Sequence, residues 1–233
     1  MIAIRHLRLA TTNRHKAVEI ERIVAGFGVG IAVQDPADAA MEVDEWGATF
    51  SSNATLKACA CLARTGTASL ADDSGIEVDA LDRAPGVHSA RWSGAGASDA
   101  SNNRRLVEEL RARGLTSSSA RYQCAIALAL PGSSHALDPG SWRQRVGALR
   151  DERSVQDADL GDVRVVLFTG TMEGRVVVEP RGAGGFGYDP YFRLPDGTPL
   201  AELDPDRKNS ISHRGQALRM LSTWLTDHAD LIG

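Results

Sequence analysis

From Tyr122 to Leu130 every second residue is large and apolar: Tyr122, Cys124, Ile126, Leu128 and Leu130. Period two is the repeat of a β-strand, whose successive side chains point to opposite faces, so this run commits the chain to a sheet with a buried face. Weaker signals surround it. Leu7 and Leu9 alternate in a first strand ending at Thr11-Thr12-Asn13, Ala68–Ala71 reads as a buried strand, and Ile76 and Val78 alternate as another. Val163–Phe168 and Arg175–Val178 read as two strands joined through Met172-Glu173-Gly174.

Helical spacing fills the intervals. Ile20, Ile23, Val24 and Phe27 share one helix face, which Gly26 and Gly28 terminate. Leu56, Cys59, Leu62 and Ala63 share another, with Ser51 or Ser52 as its cap and Gly66 at its end. A third helix carries Leu106, Val107 and Leu110 and stops at Gly114, and a last one turns Ala217, Leu218, Leu221, Trp224 and Leu225 inward. Helices interleaved with strands and hairpins predict an α/β fold with a mixed sheet, in one domain spanning residues 1–233. Residues 131–162, rich in Pro, Gly, Ser and charge, have no period and read as a surface insertion.

Composition narrows the function. A net charge of −4 argues against a non-specific nucleic-acid or membrane-surface binder, so any phosphate must be met by a few placed cations or a metal. No apolar run is long enough to span a bilayer. The start, MIAIRHLRLATTN, is too interrupted by Arg5, His6 and Arg8 for a signal peptide. Three cysteines with neither zinc spacing nor a disulfide framework point to the reducing cytoplasm.

Residues 182–187, GAGGFG, match the GxGxxG dinucleotide fingerprint, but Tyr188-Asp189-Pro190 follows where that fingerprint needs a helix. A loop that folds over a flat ligand fits better. At 11–16, TTNRHK links strand to helix, where backbone N–H groups and the helix dipole favour an anion and Lys16 adds charge one turn from Asn13. The plainer reading is a cap at Thr12 or Asn13 with a solvated Lys16, and Lys57 poses the same choice. Asp72-Asp73 offers two adjacent carboxylates, one to ligate a hard cation and one to face a water; a turn at Asp-Ser-Gly explains it equally well. In Lys208–Arg214, Ser210 or Ser212 is a sound helix cap. An arginine in a first helical turn opposes the dipole, and its donors suit a purine carbonyl.

Taken in order, TTNRHK (11–16), GATFSSNATLKA (47–58), LADDSGIEVDALDRAPGVHSAR (70–91), GAGGFGYDPYF (182–192) and KNSISHRGQAL (208–218) resemble the inosine triphosphate pyrophosphatase family. The resemblance implies an elongated mixed sheet with flanking helices, two lobes with a nucleotide cleft between them, and a homodimer. It implies Mg2+-dependent hydrolysis of non-standard purine triphosphates at the α-phosphorus, giving monophosphate and pyrophosphate. In family terms Thr12, Asn13, Lys16, Lys57 and Ser74 would hold phosphate, Asp72 would ligate Mg2+ and Asp73 would be the general base. Phe186 would stack on the base, with Tyr188, Asp189, Lys208, Ser212, His213 and Arg214 around it.

Two positions depart from the family pattern. Ser52 stands where relatives place a glutamate that helps bind metal, with Glu42, Asp44 or Glu45 as possible substitutes. His88 stands where they often carry an aromatic residue. Two other functions fit the same residues: a nucleotide-binding regulator without catalysis, and a pyrophosphatase of modified pyrimidine triphosphates.

Overall fold

A computed structural model describes residues 6–25, 32–34, 47–132 and 154–228, together with 143, 145–147 and 149. In it the alternating run lies within a fifteen-residue strand, β4 (Ser117–Pro131), whose residues from Cys124 to Leu130 are all buried. Strand β1 (His6–Leu9) pairs in parallel with β2 (Ala32–Gln34) and with β3 (Ser69–Val78). Strands β5 (Val155–Asp159) and β6 (Val163–Val177) pair antiparallel, and β7 (Phe192–Arg193) adds to β6. The sheet order is β2-β1-β3-β4-β6-β5, with β7 on β6. Helices α1 (Arg14–Ala25), α2 (Phe50–Thr65), α3 (Asp99–Ala112), α4 (Pro205–Ile211) and α5 (His213–Asp227) complete the predicted α/β class with its mixed sheet.

Two units divide the chain. One comprises Met1–Asp73, Cys124–Gly170 and Arg214–Gly233; the other comprises Ser74–Gln123 and Thr171–His213. In the first, Ile20 and Ile23 of α1 and Leu218 and Leu221 of α5 pack with Leu9, Leu70, Ile126, Leu128 and Phe168 of the strands. In the second, Leu106 and Leu110 of α3 pack with Ile76, Val78, Tyr122, Val176 and Phe192. Each helix stripe buries itself against alternating strand residues, which is the burial the two periods require.

Several boundaries differ from the sequence reading. The stretches on either side of Asp72-Asp73 are one strand, so the Asp-Ser-Gly turn does not form. Gly75 serves close approach instead: a Cβ there would lie 2.6 Å from the Gly86 carbonyl oxygen and collide with Ser89 Oγ. Likewise Met172-Glu173-Gly174 does not join two strands but lies inside β6, and a Cβ on Gly174 would meet the Phe192 ring at 2.5 Å. The cap of α2 is Thr49, not Ser51 or Ser52. Asp204, with Pro205 after it, starts a short helix, α4, that carries Lys208 and ends at Ser212 before α5 begins. Residues 131–162 are not all irregular, because β5 returns antiparallel to β6 there. Gly26, Phe27 and Gly28 lie outside the described residues. No helix among the described residues is long and apolar enough to cross a membrane. Cys59, Cys61 and Cys124 are free thiols, all buried.

Candidate active site

Because Asp72 and Asp73 are consecutive on a strand, their side chains leave opposite faces and each acquires its own cation. Asp72 has no exposed side-chain surface. Its Oδ1 lies 2.5 Å from Lys16 Nζ on α1, and its Oδ2 accepts from Arg214 Nε on α5 at 3.2 Å and from the Cys124 thiol on β4 at 3.1 Å. Arg214 also pairs with Glu19 through Nη1. Asp73 is served from α2: Lys57 Nζ donates to Oδ1 at 2.8 Å and Asn53 Nδ2 to Oδ2 at 3.3 Å. Asn53 and Lys57 are four apart, hence on one helix face, and Gly47 N–H holds the Asn53 amide at 3.0 Å.

Burial alone would push the Asp72 carboxyl up. The charges of Arg214, Lys16 and Lys57 outweigh it and hold the group well below the usual carboxylate range, so Asp72 is ionised at neutral pH. Burial, with the Asp72 charge behind it, pushes the Cys124 thiol well up, which leaves it a neutral S–H donor.

Asn13 caps α1: its Oδ1 accepts from His15 N–H at 3.0 Å and Lys16 N–H at 3.3 Å. Thr12 is exposed beside it, and Ser74 follows Asp73 on β3, partly exposed. Neither lysine is the solvated surface residue of the plainer reading, since Lys16 and Lys57 are only 15% and 16% exposed and each meets a carboxylate. Ser52 is consumed by the α2 cap. Its Oγ accepts from Thr49 N–H at 3.1 Å and donates to Thr49 O at 2.8 Å, while its own N–H binds Thr49 Oγ1. This is the third-position role that glutamate fills in a capping box.

A second group forms in the other unit around Asp189. Its Oδ1 accepts from Tyr122 Oη at 3.0 Å, and its Oδ2 from Phe186 N–H at 3.0 Å and Lys208 Nζ at 2.8 Å. The Lys208 ammonium stands 4.9 Å from the centre of the Phe186 ring, His213 stacks on Tyr122 at 4.9 Å, and Tyr188 Oη donates to Ser89 O at 2.9 Å. Ser212 is buried at the α4–α5 break. The structure thus links Phe186, Asp189, Lys208 and His213 to one another, directly or through Tyr122, and places Arg214 with Asp72 and Glu19.

Asn53, Glu19, Cys124 and Tyr122 were not among the site candidates from sequence, where Tyr122 and Cys124 count only as strand residues. Only Asn53 left a local trace there, its helical spacing from Lys57.

The Tyr122 hydrogen bond gives a testable stability effect. Burial first, and then the Asp189 charge, push the phenol well above its ordinary value of 10. Its stabilisation is therefore complete below about pH 10 and is lost at higher pH, where the unfolded chain ionises and the folded one does not. Tyr122→Phe keeps both ring contacts but strips a donor from a buried carboxylate, and is expected to cost about 1–3 kcal/mol. Urea midpoints at pH 8 and pH 10.5 should show a shallower alkaline loss in the variant than in the wild type.

The carboxylate pair suits Mg2+. The donors are hard oxygens, and among the described residues no three His, Cys, Asp or Glu side chains form a cage. Mg2+ takes one or two carboxylates and leaves its other positions to water and phosphate oxygens. Among the described residues Glu19 and Asp72 meet Arg214, Asp72 meets Lys16, and Asp73 meets Lys57. Glu42, Asp44 and Glu45 lie outside the described residues.

Comparison with known proteins gives a consistent picture. The model of the Ham1 family matches residues 7–224. The dITP/XTP pyrophosphatase of Exiguobacterium sibiricum is 39% identical over 219 residues, 94% of this chain and 96% of that protein. The dITP/XTP pyrophosphatase of Halalkalibacterium halodurans is 38% identical over 221 residues, 93% of this chain and 97% of that protein. The solved structure of a HAM1 protein from Coxiella burnetii superimposes with a TM-score of 0.74 at 35% identity, covering 97% of this chain and 100% of that one.

Proposed function

The chain belongs to the Ham1 family, and on that premise we propose that it is a Mg2+-dependent pyrophosphatase of non-standard purine triphosphates. Its substrates are dITP, ITP and XTP, its products the nucleoside monophosphate and pyrophosphate, and its role the sanitation of the nucleotide pool in the cytoplasm, as a homodimer. The observation that carries this reading is the carboxylate pair, each member held by its own lysine.

Hydrolysis of a phosphoanhydride asks mainly for charge neutralisation and positioning. Lys16 and Lys57, drawn toward the phosphates, neutralise them, while Thr12, Asn13 and Ser74 add neutral polar contacts. Asp72 would hold Mg2+; when bound, the ion would supply further charge to the phosphates and favour deprotonation of water. Arg214 and Cys124 keep Oδ2 in place meanwhile. Asp73, oriented by Asn53 and Lys57, accepts the proton of the water that attacks the α-phosphorus. Phe186 stacks on the base, with Lys208 and His213 as donors toward a 6-carbonyl and Tyr188, Asp189 and Ser212 as their support.

A panel of ITP, dITP, XTP, GTP, ATP and modified pyrimidine triphosphates with Mg2+, with pyrophosphate and orthophosphate detected separately, tests the reading. We expect pyrophosphate from the first three and at least about tenfold less from ATP, the size of one lost hydrogen bond. Orthophosphate with diphosphate would remove the α-phosphorus assignment.

A further inference from the structure

The glycine-rich stretch is gripped from outside itself. Asp99 Oδ2 accepts the Gly187 N–H at 2.7 Å, and Asn103 Nδ2 donates to the Gly187 carbonyl at 2.9 Å. The two side chains are four residues apart on α3, so a single face of one helix holds Gly187 by its amide and its carbonyl. An acidic residue in a first helical turn has an ordinary explanation in the dipole, but the dipole does not ask it to reach a residue 88 positions away. Nor does helix stability explain Asn103. The carbonyl can only accept, so the amide nitrogen must face it, and Asn103 Oδ1 is left buried with no hydrogen-bond partner among the described residues. A buried oxygen without a partner is a cost that a solvent-facing asparagine avoids.

What the grip fixes is the hinge between Phe186 and Tyr188. Gly187 has φ +62°, a left-handed conformation that favours glycine, and holding its N–H and C=O sets the directions in which its two neighbours leave. Within the stretch the Gly184 N–H reaches Ala201 O at 3.0 Å and the Phe186 N–H reaches Asp189 Oδ2. Asp189 needs Gly185 for this, since a Cβ there would collide with its Oδ2.

We propose, building on the nucleotide reading above, that Asp99 and Asn103 are positioning residues that preset the Phe186 segment for the nucleobase. They govern base affinity and selectivity and leave the hydrolytic step alone. Preorganisation of this kind lowers the ordering cost of binding, so its loss weakens binding without touching the proton transfer.

The test uses the full-length protein with Asp99→Ala, Asn103→Ala and Asp99→Asn. Hydrogen exchange of residues 182–189, ITP binding and steady-state kinetics are measured with Mg2+, alongside binding of inorganic tripolyphosphate as a base-free probe. Both alanine variants should speed exchange in 182–189 and raise Kd and KM for ITP about tenfold, with kcat within about twofold of wild type, the size of one lost hydrogen bond. Tripolyphosphate affinity should not change. Asp99→Asn, whose amide oxygen still accepts the Gly187 N–H, should restore KM and protection. Unchanged exchange and affinity in the alanine variants, a fall in kcat at constant KM, or no rescue by asparagine would each overturn the proposal. A wild type that binds ITP but releases no pyrophosphate defeats the proposed activity instead, and the exchange and binding measurements still decide the role of Asp99 and Asn103.

Discussion

Asp73→Asn is expected to cut ITP turnover about a thousandfold, with ITP affinity within about threefold of wild type, because a positioned base contributes roughly 10²–10⁴ to such a step. The substitution is nearly isosteric and spares Lys57, so the phosphates keep their cation. One hydrogen bond is lost. Asp73 accepts on both oxygens, from Lys57 and from Asn53, and an amide at 73 must turn its own donors toward one of them. Asn53 cannot flip to relieve the clash, since its Oδ1 already accepts the Gly47 N–H. The variant should therefore unfold slightly more easily, by about 1 kcal/mol, yet remain folded and competent to bind. Single-turnover hydrolysis with calorimetric ITP binding separates these effects. Turnover within tenfold of wild type would remove Asp73 as the base, and a matching loss of affinity would make it a phosphate or metal contact.

Periodicity and motif order exposed much of this molecule, and the misreadings have a physical pattern. The alternation in β4 was legible because its larger residues Cys124, Ile126, Leu128 and Leu130 pack into one core, with the small alanines between them on the other, also buried, face. The Asp72–Gly75 and Met172–Gly174 segments misled because a glycine that admits a neighbour looks, in sequence, like one that makes a turn. The neighbours concerned, Ser89 and Phe192, are 14 and 18 residues away along the chain from Gly75 and Gly174, and no local window contains them. At the site, Lys16, Lys57 and the aspartates were legible through their motifs. Their orienting partners were not, since the Arg214–Asp72 and Asp99–Gly187 bonds join residues 142 and 88 positions apart. One oddity signals that a partner is needed, but the sequence reading looks for it in a purine carbonyl. An arginine in the first turn of a helix opposes the dipole, and Arg214 is there because Asp72 and Glu19 meet it.

Arg214→Met should accordingly be the most destabilising single change in the first group, by about 3–5 kcal/mol, since it removes one member of a buried ion pair. Both groups are enclosed: Arg214 is 2% exposed and Asp72 1%. Methionine fills much of the volume but removes the guanidinium contacts to Asp72 Oδ2 and to Glu19. Asp72→Asn placed on the same background removes the carboxylate that Arg214 met. The double variant should therefore cost less than the sum of the single changes by about 2 kcal/mol, a coupling of the size seen for contacting charges. Denaturant unfolding of the four proteins measures it directly, and additive costs would show that Arg214 does not hold Asp72. Kinetics at low temperature, where the variant stays folded, distinguish the two roles open to this side chain. If Arg214 positions Asp72, kcat falls alike for ITP and XTP. If it reads the purine carbonyl, the loss falls on KM and the preference over ATP shrinks, with little change in stability.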